Sequence, residues 1–244
     1  MRIHKVHTLH IDRLARSTKP FNARGAKVNR CRYCQVNVDY CICSHQPQVT
    51  SNAAFLLIMF DTEVLKPSNT GKLIADVVQE TYAYLWSRTE PNQQMLDLLD
   101  DPQWQPFVVF PGDYVQPPQQ VVSKVEMIAG KRPLFVMLDG SWREACKIFR
   151  RSPYLNRFPV LSIKAEQLSK YIMRKASKDY QLATAEVAAV VLDLFGEPET
   201  AKHMELWFDV FKEHYLYSKQ PRKLADRNVA LNKMFDYQRS LKPE

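Results

Sequence analysis

The chain lacks the sequence features of membrane and secreted proteins. It has no run of eighteen apolar residues, which a helix needs to cross a bilayer. Its basic, histidine-bearing N-terminus has no hydrophobic signal core, and repeats and low-complexity tracts are absent. We therefore expect a cytoplasmic protein without a membrane partner. The 244 residues, 45% of them hydrophobic, suit one main globular domain with a small appended one.

Acidic residues are scarce in two segments. Residues 1–50 carry nine Lys and Arg against two acids, and residues 131–175 carry eleven against three. These zones have net charges of +7 and +8, whereas the whole chain has only +8, so the remaining segments are acidic. Separate basic zones indicate a polyanionic partner, most commonly nucleic acid. Neither zone shows the amphipathic helix of a membrane-surface protein.

The loop K-P-S-N-T-G-K-L has the polar residues of an anion-binding loop but only one glycine. The segment K-P-S-N-T-G-K-L follows a predicted strand, but it lacks the spaced glycines and the GK[ST] ending of a P-loop. Ser68, Asn69 and Thr70 can cap the next helix, whose free N–H groups can hold an anion. From these residues alone, plain capping is the simpler interpretation.

Cysteine is concentrated in one place. Four of the five cysteines lie within thirteen residues, as a C-x-x-C pair and a C-x-C pair. Because a reducing compartment argues against disulfides, they predict a structural zinc site with four thiolate ligands. These ligands are Cys31, Cys34, Cys41 and Cys43. His45 can replace Cys43 as a ligand, and a redox C-x-x-C pair is the alternative, although such a pair needs no second one nearby.

Predicted strands and helices alternate along residues 51–217. Apolar runs typical of buried strands lie at 53–60, 82–86, 107–110, 134–138 and 158–163, and helices are predicted at 71–80, 93–99 and 121–128, from 142, from 184, and at 197–217. This alternation predicts an α/β domain with a mostly parallel sheet covered by helices on both faces. Around it we expect a basic N-terminal arm (1–30), a zinc-binding module (31–50) and a helical tail (218–244).

Asp139 stands where the predicted strand 134–138 gives way to a helix. Ser141 and Glu144 have the spacing of a capping box, which predicts that the helix begins at Trp142. Ligands of parallel sheets bind beyond the carboxyl ends of the strands. Asp139 is therefore the first candidate for chemistry.

The helix after Asp139 carries a basic stripe. Its four cations recur at helical spacing with Glu144 as the only acid, so we predict an anion-binding face rather than a merely solvated one. The four are Arg143, Lys147, Arg150 and Arg151. Further along, Thr184 can cap a helix and Glu186 lies in its first turn, where helix stabilisation alone explains both.

Several of these motifs together resemble the DTW-domain family. They are the cysteine pairs, K-P-S-N-T-G, F-P-G, L-D-G-S-W, R-R-S-P-Y-L and L-A-T-A-E, in order between Cys31 and Tyr217. In bacteria this family is associated with tRNA-uridine aminocarboxypropyltransferases. Ser141 stands where the namesake signature has Thr and keeps the hydroxyl, whereas Phe60 stands where relatives often carry His.

The resemblance implies a knotted, SPOUT-like fold and an S-adenosylmethionine site. The implied cofactor contacts are Pro111, Gly112, Asp139, Leu182, Thr184 and Glu186. The implied catalytic residues are Asp139, Ser141 and Trp142, with Asp139 as the base and Trp142 stacking on a base or packing in the core. The predicted tRNA contacts are Ser68, Asn69, Thr70, Arg143, Lys147, Arg150, Arg151 and Arg174.

The implied reaction moves the 3-amino-3-carboxypropyl group of S-adenosylmethionine to N3 of a tRNA uridine. The sulfonium activates all three attached carbons, so geometry selects the group transferred. Two alternatives stay open: an RNA methyltransferase of the same fold, and a non-catalytic, zinc-containing RNA-binding protein.

Overall fold

A computed structural model describes residues 1–18, 25, 27–164, 182–218 and 228–241. The strands are β1 (Ala54–Met59), β2 (Thr81–Leu85), β3 (Trp104–Val109), β4 (Val121–Val122), β5 (Arg132–Asp139) and β6 (Val160–Leu161). The helices are α1 (Lys5–Ala15), α2 (Gly71–Val77), α3 (Gln93–Asp100), α4 (Trp142–Arg150), α5 (Thr184–Phe195), α6 (Pro198–Tyr217) and α7 (Val229–Ser240). Within these ranges no helix is long and apolar enough to cross a membrane.

The six strands form one parallel sheet in the order β2-β1-β5-β3-β6-β4. The predicted parallel α/β sheet is thereby confirmed. In the register of β1 and β5, Met59 lies opposite Asp139. The carboxyl ends of the central strands thus meet at one edge, and the loops that follow them are brought together there.

Apolar residues on both faces of the sheet hold the helices. Alternate residues of β1 and β5 point to opposite sides, as the two-residue period of a strand requires. Phe55 and Phe135 pack in a core with residues of α2, α5 and α6, whereas Leu56 and Val136 pack with residues of α3 and α4. Every residue of β1 is consequently buried, which explains its unbroken apolar sequence.

The N-terminal segment, from which we expected only an arm, contains a docked helix. Val6 and His7 of α1 are buried. Arg13 donates two hydrogen bonds to Asp61, at 2.6 and 2.7 Å, and His10 Nδ1 lies 2.9 Å from the carbonyl oxygen of Val64. Polar contacts with the main domain contribute much of the attachment, so the apolar period of the sequence does not reveal the helix.

The predicted helix at 121–128 is wrong. Val121 and Val122 pair with β6 instead, and residues 123–131, which lead to β5, form no helix. The side chain of Gln105 donates to the carbonyl oxygen of Glu126 at 3.0 Å and accepts from the N–H of Ile128 at 2.7 Å. These bonds satisfy backbone groups that a helix would otherwise pair internally.

Three other expectations involve residues outside the described ranges. Residues 165–181, between β6 and α5, are not described, so the expected knot stays a prediction, and residues 219–227 of the expected C-terminal tail are not described either. Arg174 lies in the first of these segments. The last helix expected in the tail is present as α7, with Leu231 and Met234 buried.

A buried carboxylate joins α1, the cysteine-bearing segment and the main domain. Asp76 of α2 accepts hydrogen bonds from Gln46 at 2.6 Å and from the indole N–H of Trp207 at 2.9 Å. His4 Nε2 lies 3.1 Å from the same group. Burial pushes the pKa of Asp76 upward, but the bond and charge of His4 and the bond of Trp207 hold the pKa below its usual value.

Replacing Asp76 by Ala should destabilise the protein, because three polar partners lose their acceptor and two of them, His4 and Trp207, are buried. We expect a loss of at least about 2 kcal/mol in the free energy of unfolding measured with urea. Asp12, exposed on α1, is the matched control, and Asp12→Ala should cost less than about 0.5 kcal/mol. Equal stability of the two variants would contradict the role given to Asp76.

Candidate functional site

A cavity of about 1010 Å³ opens at the carboxyl edge of the sheet. Its walls come from the loops after β1, β3 and β5, from the first turn of α5, and from Phe208 and Lys212 of α6. The predicted residues on its walls are Ser68, Asn69, Thr70, Pro111, Ser141, Trp142, Arg143, Leu182, Thr184 and Glu186. The loop of Pro111, the loop after Asp139 and the turn of Thr184, which carry the implied cofactor contacts, therefore border the same cavity.

Asp139 lies directly behind the cavity wall. Asp139 is the last residue of β5, and its neighbours Leu138 and Gly140 both line the cavity. Asp139 itself is only 1% exposed. Its Oδ1 accepts a hydrogen bond from the hydroxyl of Thr184, and its Oδ2 accepts one from the amide of Asn69, both at 2.6 Å. The carboxylate thus joins two loops far apart in sequence.

The start of α2 comes so close to Asp139 that only glycine fits there. A Cβ atom at Gly71 would lie 2.7 Å from Asp139 Oδ2 and 3.3 Å from Asn69 Oδ1. A side chain at this position would push against the carboxylate. The glycine of K-P-S-N-T-G therefore serves close packing at the site.

The pKa of Asp139 is raised to about 6. Burial is the main cause, and the hydrogen bonds from Thr184 and Asn69 oppose it. Glu63, a second buried acid at the site, raises the pKa further through its negative charge. Asp139 can consequently exchange a proton near neutral pH, which suits acid–base chemistry.

Lys72 supports the loop after β1 from below, a role that sequence reasoning did not find. Its ammonium donates to the carbonyl oxygens of Pro67 at 3.0 Å and Asn69 at 2.6 Å and lies 4.4 Å from the ring centre of Phe211. Burial lowers the pKa of Lys72 to about 8. The only hint in the sequence is that this lysine directly follows S-N-T-G. From the sequence alone, a lysine at this point of a helix would be taken as exposed to solvent.

Glu63 and Lys212 were also missed. Glu63 lines the cavity, accepts from Asn69 at 3.3 Å, and pairs with Lys66. Lys212 lines the same cavity from α6. Neither belongs to a recognisable motif, and Lys212 lies on a helix whose aromatic stripe indicates only packing.

Trp142 forms an exposed aromatic surface at the cavity. It is 44% exposed, and its ring stacks on Phe110 at 5.5 Å between centres with planes 7° apart. Tyr114 contacts the same ring edge-on at 5.2 Å. One face of the indole is thus supported by packing while the residue as a whole stays accessible, an arrangement suited to stacking on a planar ligand.

The four cations of the basic stripe occupy different surroundings. Arg143 lines the cavity, whereas Lys147 lies over the rings of Phe60 and Trp86, at 5.5 and 5.6 Å from their centres. Arg150 and Arg151 are exposed, and none of the four forms an ion pair within the described part of the chain. Unpaired cations of this kind are available to an anionic partner.

Phe60 takes part in this packing rather than in the cavity wall. Its ring stacks on Trp86 at 5.8 Å, beneath the ammonium of Lys147. Phe60 thus contributes an aromatic contact in this chain.

The helix after Asp139 begins where the capping box predicts. The Glu144 carboxylate accepts from the backbone N–H of Ser141 at 2.7 Å and from its hydroxyl at 2.6 Å. Ser141 lines the cavity, but its hydroxyl is directed to Glu144. Gly112 follows Pro111 but does not itself line the cavity. Its backbone N–H donates a hydrogen bond to the hydroxyl oxygen of Ser162 at 2.9 Å.

The four clustered cysteines can hold a metal ion. Cys31 and Cys43 have sulfurs 3.6 Å apart, and Cys34 and Cys41 have sulfurs 3.8 Å apart, whereas a disulfide needs about 2.05 Å. In a tetrahedral site with Zn–S bonds of about 2.3 Å, neighbouring sulfurs lie about 3.8 Å apart. The spacing therefore fits zinc. His45 is not in this cluster, and its ring packs on Phe235.

Comparisons with known proteins identify the family of this chain. The family model of the DTW domain matches residues 28–216. Over 190 residues, 75% of this chain and 71% of the relative, the chain is 27% identical to a Drosophila melanogaster protein named tRNA-uridine aminocarboxypropyltransferase 2. No solved structure matches. The family match spans the cysteine cluster, the parallel sheet and every loop of the cavity, and on that basis the chain belongs to the DTW-domain family.

Proposed function

We propose that this protein transfers the 3-amino-3-carboxypropyl group of S-adenosylmethionine to N3 of a uridine in tRNA, on a SPOUT-like fold. The observation that carries the proposal is the cavity at the sheet edge, with a buried carboxylate of raised pKa behind its wall and an exposed indole beside it. The name of the Drosophila relative supports the same substrate and reaction class.

The cavity suits a donor of the size and charge of S-adenosylmethionine. Its volume is at the upper end of the range for small-molecule sites, about 300 to 1,000 Å³. Apolar residues such as Leu138 and Leu182 line it together with the acids Glu63 and Glu186. Acidic side chains suit the ammonium and sulfonium groups of the donor, and Lys212 and Arg143 suit its carboxylate.

Uridine must leave the stacked RNA before its N3 can reach such a cavity. The exposed ring of Trp142, supported by Phe110, provides a surface on which an extruded base can stack. Arg143 lies on the cavity wall, Arg150 on the exposed face of α4 and the exposed Arg151 directly after that helix, so all three suit contacts with neighbouring phosphates. Ser68, Asn69 and Thr70 border the same opening.

Replacing Asp139 by Asn should abolish transfer and leave tRNA binding largely intact, because the buried carboxylate contributes to proton removal rather than to the RNA surface. Wild-type turnover should also fall as the pH drops through about 6, where protonation removes the negative charge of Asp139. Turnover is measured by digesting the tRNA and weighing the nucleosides.

The same measurement separates the alternatives. Addition of a methyl group would identify a methyltransferase, and tRNA binding without turnover or donor affinity would identify an RNA-binding protein. Unchanged transfer by the Asp139→Asn variant would remove Asp139 from the reaction.

Replacing Arg150 and Arg151 together by Ala should weaken tRNA binding and reduce its salt dependence. Each lost phosphate contact lowers the slope of log affinity against log salt by roughly 0.7 to 0.9, so we expect a reduction of roughly 1 to 2 in a salt titration. Lys202→Ala removes an exposed cation from α6, whose packing lies on the other face of the sheet, and should leave the slope unchanged. An unchanged slope in the double variant would contradict the tRNA contact.

We further propose that the cysteine cluster holds one structural zinc ion. Cys34→Ser should then reduce bound zinc, measured by mass spectrometry of the metal, well below one ion per chain, and should lower the thermal midpoint because the module loses its internal support. Cys146 of α4 is the fifth cysteine and lies outside the cluster. Cys146→Ser should keep the full zinc content, and equal zinc in both variants would contradict the assignment.

A further inference from the structure

The carboxylate of Asp139 is separated from the cavity by the two side chains that bond to it. Asn69 and Thr184 both line the cavity, and each makes a 2.6 Å hydrogen bond to a different oxygen of Asp139. With 1% of the residue exposed, no substrate atom can reach the carboxylate while these bonds persist. If Asp139 takes part in proton removal, it acts through a neighbour.

The hydroxyl of Thr184 is oriented for such a role. An ionised carboxylate only accepts hydrogen bonds, so the hydroxyl hydrogen of Thr184 points to Asp139 Oδ1. The lone pairs of Thr184 Oγ1 then remain for an N–H donor in the cavity that Thr184 lines. A hydroxyl held in this way accepts a proton at one side while it releases its own at the other.

The surroundings fix Thr184 in place. It is the first residue of α5, where the Glu186 carboxylate accepts from the N–H of Ala183 at 3.0 Å. The N–H of Ala185 donates to the hydroxyl of Thr70 at 3.3 Å, which attaches this turn to the loop after β1. The position of Oγ1 is therefore set by backbone contacts on both sides.

Asn69 has a different part. Its amide nitrogen donates to Asp139 at 2.6 Å and to Glu63 at 3.3 Å, so both amide hydrogens face carboxylates. An amide nitrogen cannot accept a proton from a substrate. Asn69 holds Asp139 toward Thr184 and favours its ionised form.

We propose that Thr184 is the group that receives the N3 proton of the uridine, as one half of a Thr184–Asp139 relay. The inference rests on the proposed function. The N3–H bond breaks and its proton forms a new O–H bond at Thr184 Oγ1, while the original hydroxyl proton of Thr184 moves to Asp139 Oδ1. The electron pair left on N3 forms the bond to the aminocarboxypropyl carbon, and the electrons of the broken C–S bond return to sulfur.

The charges balance in this step. The sulfonium becomes a neutral thioether, and the Asp139 carboxylate becomes a neutral acid. Because the pKa of Asp139 is about 6, the acid returns its proton to solvent at neutral pH and the relay is reset. Thr184 is then the catalytic residue that touches the substrate, and Asp139 and Asn69 are positioning residues.

Three substitutions test the relay by steady-state kinetics with nucleoside mass analysis. Thr184→Val removes the hydroxyl at nearly constant shape and should lower kcat at least about 100-fold, the contribution expected of a positioned base. Its effect on the KM for the donor should be much smaller than its effect on kcat. Thr184→Ser keeps the hydroxyl and should restore kcat to within about tenfold of wild type. Thr8→Val, on the exposed face of α1, controls for the loss of a threonine hydroxyl elsewhere.

The double variant Thr184→Val with Asp139→Asn decides whether the two residues act as one unit. In a relay the double loss equals the larger single loss, because either substitution alone already breaks the path. The fall of kcat below about pH 6 should also disappear in Thr184→Val.

Near wild-type kcat in Thr184→Val, multiplying losses in the double variant, or failure of Thr184→Ser to recover activity while its donor affinity and fold are intact would each overturn the relay. A methylated product would overturn the proposed aminocarboxypropyl transfer. The relay would then be tested by the same ratios of kcat between wild type and the Thr184 and Asp139 variants, measured for methyl transfer. A wild-type protein that modifies no uridine would overturn both.

Discussion

The candidate site depends on one buried carboxylate shared between two loops. Asp139 ends the central strand, and its two oxygens are bonded to Asn69 and Thr184, which lie 70 and 45 residues away in the chain. Burying a charge is costly unless hydrogen bonds compensate, and here those bonds come from side chains on the cavity wall. Because the buried carboxylate needs these two hydrogen bonds, they hold the side chains of Asn69 and Thr184 in place on the cavity wall.

Other features of this edge follow from the same requirement. The first turn of α2 must come close to Asp139, which restricts position 71 to glycine. The loop that carries Asn69 needs support from below, which Lys72 gives through two backbone carbonyls. A lysine buried in this way has to be bonded, and burial accordingly lowers its pKa to about 8. The loop is thus held in place by polar contacts on both sides.

The sequence predicts the main parts of the fold because its strands are apolar and its helix starts are capped. The run 53–60 and the capping box of Ser141 and Glu144 appear in the structure where expected. The helix α1 could not be predicted in this way, since side-chain bonds to distant residues contribute much of its attachment. The strand at Val121 was mistaken for a helix because its pairing with β6 involves only two residues.

For the site, sequence motifs indicate which loops meet but not which atoms face the cavity. Asp139, Thr184 and the S-N-T loop were all candidates, and all lie at one edge of the sheet. That Asp139 lies behind the other two depends on side-chain directions, which no spacing reveals. Glu63 and Lys212 were not found because they reach the cavity from a turn and from a packing helix.

The segment with the four cysteines is linked through His10 to the loop that carries Asn69. The side-chain amide of Gln35, directly after Cys34, lies 3.2 Å from His10 Nε2, and the other ring nitrogen of His10 lies 2.9 Å from the carbonyl oxygen of Val64. If the cysteines hold the zinc ion proposed above, loss of that ion would free Gln35 and weaken the contact that His10 makes with the β1–α2 connection. The proposed zinc site would in this way influence the candidate site through His10, although no cysteine lines the cavity.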